Sequence, residues 1–320
     1  MSEWVGATLR RALRLSSWPA LALLFALSAA VAGGPEAGRV TINPKALYPE
    51  GPLVDGELLY YAEMGGDRVM RWDGAENHVV WSRNGCGPTS VSRAEDGALN
   101  VLCHREEALV RVSPSGETLK TIDRDEGGLT FRTPNASVND GKGGVYFSSS
   151  GSFSPSAASE GAVLYLDRND RLRRVAEGIH YSNGVALSPD GGKLYVSEHL
   201  SRNVLVYDVA GDGALSNRKL FVALDDLVGA DAERSWEIGP DGLAVDRQGN
   251  LFVAEYGAGR FLVIDSGGAL LEAVAVPEPY ITGIALSPDE ARIFVTAPIS
   301  RMIPFNGTVS SHANPLLRTE

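Results

Sequence analysis

The chain has 320 residues, 36 of them glycine, and a formal net charge of -11 at pH 7. Its length allows one large domain or two small ones, and its glycines ask for many tight turns. The acidic balance leaves nothing to neutralise phosphates, which argues against a nucleic acid partner but not against a divalent cation.

The first element is a leader. Arg10, Arg11 and Arg14 give a basic start, Trp18 to Val31 is apolar, and Ala30-Val31-Ala32 reads as a small-residue cleavage site. The apolar run is too short to span a bilayer comfortably. Residues 1–32 are therefore expected to be a cleaved signal peptide, and residues 33–320 a single periplasmic or secreted domain. The Arg10-Arg11 pair leaves general and twin-arginine export both open.

"GRVTINPKAL" (38–47) alternates at Val40 and Ile42 as a strand does. Six segments then share one pattern: a small or polar pair, a short apolar strand, a turn with Asp or Gly, and a second apolar strand. They begin at Pro49, Gly87, Thr133, Tyr181, Gly239 and Ile281, and "YSNGVALSPDGGKLYV" (181–196) is typical. Most are followed by a third strand, such as "RVMRWDG" or "NVLVYDVAG". Aligned, they place Glu50, Thr89, Asn135, Asn183, Asp241 and Thr282 at one position, with separations of 39, 46, 48, 58 and 41 residues. An all-β unit of this size is a propeller blade, and six of them predict an all-β, six-bladed β-propeller. A sandwich rarely shows sixfold self-similarity, and a β-helix repeat is much shorter. Residues 38–47 are expected to supply the outer strand that closes the ring. The long gaps around 151–161 and 225–239 should be loops over one face.

In a propeller the innermost strands line a central channel, so equivalent positions at their starts form a ring near one mouth. Glu50, Asn135, Asn183 and Asp241 then converge as two carboxylates and two amide carbonyls, hard oxygen donors of the kind Ca²⁺ selects. No Cys or His is in the set, which counts against zinc. Asn-Gly and Asp-Gly pairs also start strands as plain turn formers, but turn chemistry does not explain Glu50. Thr89 and Thr282 complete the ring as strand formers without an evident ligand role.

These residues carry a resemblance. Glu50-Gly51-Pro52, Pro134-Asn135, Ser182-Asn183-Gly184 with Ser188-Pro189-Asp190-Gly191, and Pro240-Asp241-Gly242-Leu243-Ala244 occur in an order and spacing similar to the SMP-30/gluconolactonase/LRE-like superfamily. That group includes regucalcin, gluconolactonase, diisopropyl fluorophosphatase and, distantly, paraoxonases. The resemblance implies a calcium-dependent hydrolase whose metal is held by Glu50, Asn135, Asn183 and Asp241. One departure matters: the family usually reads Pro-Asn-Asp where this chain reads Pro134-Asn135-Ala136.

The expected chemistry is hydrolysis of a small-molecule lactone or related ester by a monomer. A calcium ion would polarise the carbonyl, and Asp241 would act as base or nucleophile. There is no G-x-S-x-G elbow to suggest a serine esterase. Among the histidines, His104 and His180 are the expected pocket residues, with His199 at a corresponding strand end; His78 and His312 are expected at the surface. Pairing the second hairpin around Glu95-Asp96-Gly97 sets Cys86 almost opposite Cys103, so a disulfide is expected there, the alternative being two buried apolar cysteines. The competing reading of the whole is a non-catalytic binding propeller that keeps a structural calcium.

Overall fold

The structure, a computed structural model, describes residues 38–230 and 233–317. The expected signal peptide, residues 1–32, lies outside these residues. Six four-stranded antiparallel sheets form the expected blades. Blade four shows the plan: Ser182–Leu187 innermost, then Lys193–Glu198, Asn203–Val209 and Leu215–Ala223 outermost. The other innermost strands are Pro49–Asp55, Pro88–Arg93, Pro134–Asn139, Gly239–Val245 and Gly283–Leu286.

Ring closure is as the sequence suggested. Val40–Ala46 pairs antiparallel with Asn306–Ala313, so the last blade takes three strands from the C-terminal part of the chain and its outer strand from the N-terminal part. A sheet cannot bury its faces alone, and the faces meet in six apolar clusters among the described residues, one at each interface between neighbouring blades. Tyr61, Tyr146, Phe131, Phe147, Phe252 and Phe261 are the largest fully buried side chains.

Blades also meet through polar links at one height near the channel mouth. Thr89 Oγ1 donates to Pro134 O (3.1 Å), Ser150 Oγ to Ser182 O (2.6 Å), Ser197 Oγ to Asp241 O (2.7 Å) and Thr282 Oγ1 to Pro49 O (2.8 Å). The two threonines of the ring are thus fasteners between blades. At this height the backbones nearly touch. A Cβ on Gly184 would lie 2.1 Å from Asp241 O, one on Gly51 2.3 Å from Thr89 O, and one on Gly242 2.6 Å from Thr282 O. Only glycine allows that approach.

Cys86 and Cys103 form the expected disulfide, with Cα atoms 4.6 Å apart at the open end of the second hairpin. His78 is half-buried at the surface beside Asp73, but His312 is 6 % exposed on the third strand of the closing blade, against the expectation of a surface position. Its Nε2 meets Ser310 Oγ at 2.9 Å. The strand from the N-terminal side covers this position, which the repeat alone does not show.

Two outcomes follow from this packing. Gly184→Ala should lower stability by about 1–3 kcal/mol, read as a reduced urea midpoint, because backbone rather than a flexible side chain must give way. Burial, with Arg39 and Arg292 nearby, pushes the His312 imidazole down to about 4. The unfolded chain binds that proton from about pH 6.5 downward. Stability is therefore fully present above about pH 6.5 and declines toward pH 4 as the unfolded state takes up the proton first. Urea unfolding of His312→Gln across that window should show a flatter pH dependence than wild type.

Candidate metal centre and catalytic pocket

Five of the six ring residues, all but Thr282, sit at a defect in their strands. In five innermost strands one extra residue is inserted opposite the second strand. The register jumps between Glu50 and Leu53, Pro88 and Ser90, Pro134 and Ser137, Ser182 and Val185, and Pro240 and Leu243. Such bulges break the alternation of side chains and re-aim one of them. A second irregularity recurs two residues earlier, where Tyr48, Gly87, Thr133 and Tyr181 have φ of 54°, 55°, 45° and 64°. Left-handed backbone at tyrosine and threonine is a strained choice that functional sites tolerate.

Together these features bring Glu50, Thr89, Asn135, Asn183 and Asp241 to the floor of one cavity of about 220 Å³. Glu50, Asn135, Asn183 and Asp241 are 8 %, 8 %, 2 % and 6 % exposed, so all four expected ligands are withdrawn from water. Thr282 is buried beside them with its hydroxyl spent on Pro49 O and Thr296 O. Beyond the floor the channel continues as a second cavity of about 290 Å³ lined by the innermost strands.

The electrostatics of the floor are unfavourable as they stand. Burial drives both the Glu50 and the Asp241 carboxyl well above the usual carboxylate range, and Asp241 raises Glu50 further by repulsion. The Asn183 amide donates to Asp241, which lowers that carboxyl in part. Asn183 Nδ2 also lies 3.5 Å from His199 Nδ1. His199 is buried, which pushes its imidazole down to about 4 and keeps it neutral with a single N–H. Its Nε2 meets Glu237 O at 2.9 Å and its Nδ1 meets Pro240 O at 3.1 Å, so on either nitrogen the proton has a backbone carbonyl to donate to. Asn183 Oδ1 is left buried with no hydrogen-bond partner in the protein. A buried acceptor of this kind, beside two buried carboxylates, matches a hard dication. Among the described residues no group of three or more His, Cys, Asp or Glu is placed to hold a metal ion, so any donor set here would be mixed carboxylate and amide.

The histidines divide. His104 lines the cavity, with Nδ1 3.2 Å from Pro134 O and its imidazole held low by burial. His199 lines it too. His180 does not join the ring. Its backbone N–H donates to Glu198 Oε1 (3.2 Å), and the residue lines a separate pocket with Arg202, Asp225, Arg234 and Trp236. The left-handed turn at Tyr181 breaks the alternation on which the spacing argument relied. Ala136 lines the channel beyond the floor and packs in the apolar cluster around Val185 and Leu205, away from the cavity above. Its replacement of the usual Asp removes no donor from the set described here.

Sequence reasoning missed the walls. Tyr48, Met64, Phe153, Tyr181, Tyr256 and Arg301 line the cavity above the floor. The two long loops meet over it, with Phe153 and Trp236 ring centroids 5.0 Å apart. Tyr48 and Tyr181 share a signal that could have found them: each stands two residues before a ring carboxylate or amide.

Comparison with known proteins agrees with the fold. A family model for the SMP-30/gluconolactonase/LRE-like region matches residues 48–298. A pentonolactonase of Haloferax volcanii is 26% identical over 259 residues, covering 77% of this chain and 80% of that one. Human regucalcin is 27% identical over 229 residues, covering 68% and 71%. An L-arabinolactonase of Azospirillum brasilense is 30% identical over 159 residues, and there the chain spans only 50% of the relative's length. Among solved structures, a gluconolactonase from Xanthomonas campestris superposes with a TM-score of 0.69 at 22% identity, covering 87% of this chain and 89% of that one. A luciferin-regenerating enzyme gives 0.73 at 18%, covering 87% and 96%, so both share the fold. The chain belongs to the SMP-30/gluconolactonase/LRE-like family.

If a dication relieves the repulsion on the floor, calcium at a hundredfold its dissociation constant should stabilise the protein by about 2.7 kcal/mol, visible as a raised Tm. Asp241→Asn should raise the Tm of the chelator-treated protein, because it removes one of two repelling carboxylates, and should abolish the shift caused by calcium.

Proposed function

We propose that this protein is a calcium-dependent hydrolase of lactones or related esters. The observation that carries the reading is the floor: two buried, mutually repelling carboxylates and an unpartnered amide oxygen below a cavity of small-molecule size. The names of relatives, pentonolactonase and L-arabinolactonase among them, support the reaction class. Glu50, Asn135, Asn183 and Asp241 are the residues that would hold the ion. A bound calcium supplies Lewis-acid polarisation of the scissile carbonyl and electrostatic stabilisation of the charge that develops on its oxygen.

The chain's own groups do the rest. Asp241 is the proposed base: it takes a proton from the attacking water and returns it to the alkoxide released when the ring C–O bond breaks. The same carboxylate could instead attack directly, and the two routes share the residue. Asn183 holds the Asp241 carboxyl by hydrogen bond, and His199 lies against Asn183. Phe153 packs on Tyr181 at 4.9 Å between centroids and on His199 at 5.3 Å, closing one side of the cavity against water. His104 completes the wall near Asn135. The leader and the disulfide fit action in the periplasm or outside the cell. Among the described residues no helix is long and apolar enough to cross a membrane.

The test is hydrolysis of a panel of lactones and aryl esters by wild type and Asp241→Ala, with and without chelator. Chelation and the substitution should each lower kcat by about a thousandfold. Activity that survives both sinks the metal mechanism. Bound calcium with no activity on any substrate would instead identify a binding propeller.

A further inference from the structure

The walls of the cavity point to a feature of the substrate that the floor does not specify. Above the ring the lining is aromatic at Tyr48, Phe153, Tyr181, His199 and Tyr256, with Trp236 packed behind Phe153 and Tyr280 behind Tyr256. Trp236 packs on Phe153, Phe153 on Tyr181 and His199, His199 on Tyr256 (5.7 Å), and Tyr256 on Tyr280 (5.0 Å). Met64 adds an apolar thioether to the lining.

Most polar atoms of this wall already have a partner within the protein, while His104 meets Pro134 O through Nδ1 alone. The hydroxyls of Tyr48 and Tyr256 bond to each other at 3.1 Å. The Tyr181 hydroxyl lies beside the Ser150 and Asn135 side chains. The His199 ring faces Glu237 O, Pro240 O and Asn183. Arg301, the one cationic side chain lining the cavity among the described residues, is ion-paired with Glu237 and stacked over the Tyr280 ring at 5.5 Å. A polyhydroxylated sugar ring needs a directional partner for each hydroxyl it buries, and an unpaired hydroxyl is costly. An alkyl or aryl group needs only apolar surface.

That surface continues out of the mouth. Phe153 and Trp236, on the two loops that meet above the floor, are 36 % and 42 % exposed. On the hairpin that carries Arg301, Ile299, Met302 and Ile303 are 45 %, 73 % and 81 % exposed. The Arg301–Glu237 pair ties this hairpin to the loop of Trp236, so apolar side chains flank the entrance from two elements.

We propose that the preferred substrate is a lactone or ester bearing an apolar alkyl or aryl substituent, seated along Phe153 and Trp236, rather than a polyhydroxylated sugar lactone. The inference rests on the hydrolase reading above and narrows it. Names of relatives point toward sugar lactones, and the walls of this cavity differ from what that substrate asks.

The experiment compares kcat/KM for γ-butyrolactone, γ-hexyl-butyrolactone, dihydrocoumarin and D-glucono-1,5-lactone with calcium present. Each buried methylene is worth about a fourfold gain in transition-state binding, so the hexyl compound should exceed the unsubstituted ring by about tenfold or more even with partial burial. Trp236→Ala and Phe153→Leu should cut the ratio of hexyl to unsubstituted kcat/KM by about fivefold to tenfold, with most of the loss in KM. A higher kcat/KM for the gluconolactone than for both substituted substrates overturns the inference and leaves the hydrolase reading standing. Equal values for the hexyl and unsubstituted rings also overturn it. Hydrolysis of none of the four overturns the hydrolase reading and this inference with it.

Discussion

The approach of neighbouring backbones at the channel mouth is the constraint on which the site depends. Inner strands that carry side chains on their near faces cannot come close enough to crowd Glu50, Asn135, Asn183 and Asp241 onto one cavity floor. Glycine at 51, 184 and 242 lets each strand press onto the carbonyl of the next ring residue. The bulge at the same point turns the preceding side chain inward. Hydroxyl links from Thr89, Ser150, Ser197 and Thr282 then fasten the blades at that height. Close packing on one side and a re-aimed oxygen on the other come from a single short motif.

A ring built this way concentrates polar atoms where water is excluded. Oxygen donors buried without partners are unstable company, and the fold spends stability to keep them together. The arrangement around Asn183 shows how. Its nitrogen faces His199 and Asp241 while its oxygen is left buried without a partner in the protein. The supporting histidine stays neutral because it is buried, so it adds no positive charge to compete with a cation. Orientation is thus set by groups that are themselves locked by backbone contacts.

Much of this was legible in the sequence because propeller geometry is repetitive. A position that recurs in six hairpins must recur around an axis, so the fold, the closing strand, the ring set and the Cys86–Cys103 bridge could be read without coordinates. What could not be read depends on departures from the repeat. His180 sits three residues before Asn183, yet the left-handed residue between them sends the two to different pockets. His312 is covered by a strand from the other end of the chain. Phe153, Trp236 and Arg301 lie in inter-strand segments of unequal length, where no periodicity constrains what meets what.

The shared closing blade has a consequence for how the protein comes into being. Val40–Ala46 emerges from the ribosome first and cannot find its partner until Asn306–Ala313 has been made. Contacts this distant in sequence come late in folding, since the loop-closure entropy precedes any reward. Until then the incomplete ring is an arc, with bare apolar sheet faces at both ends that invite association with other chains. The ring is a stable object only when whole, and its vulnerable interval is the time between synthesis of its first strand and its last.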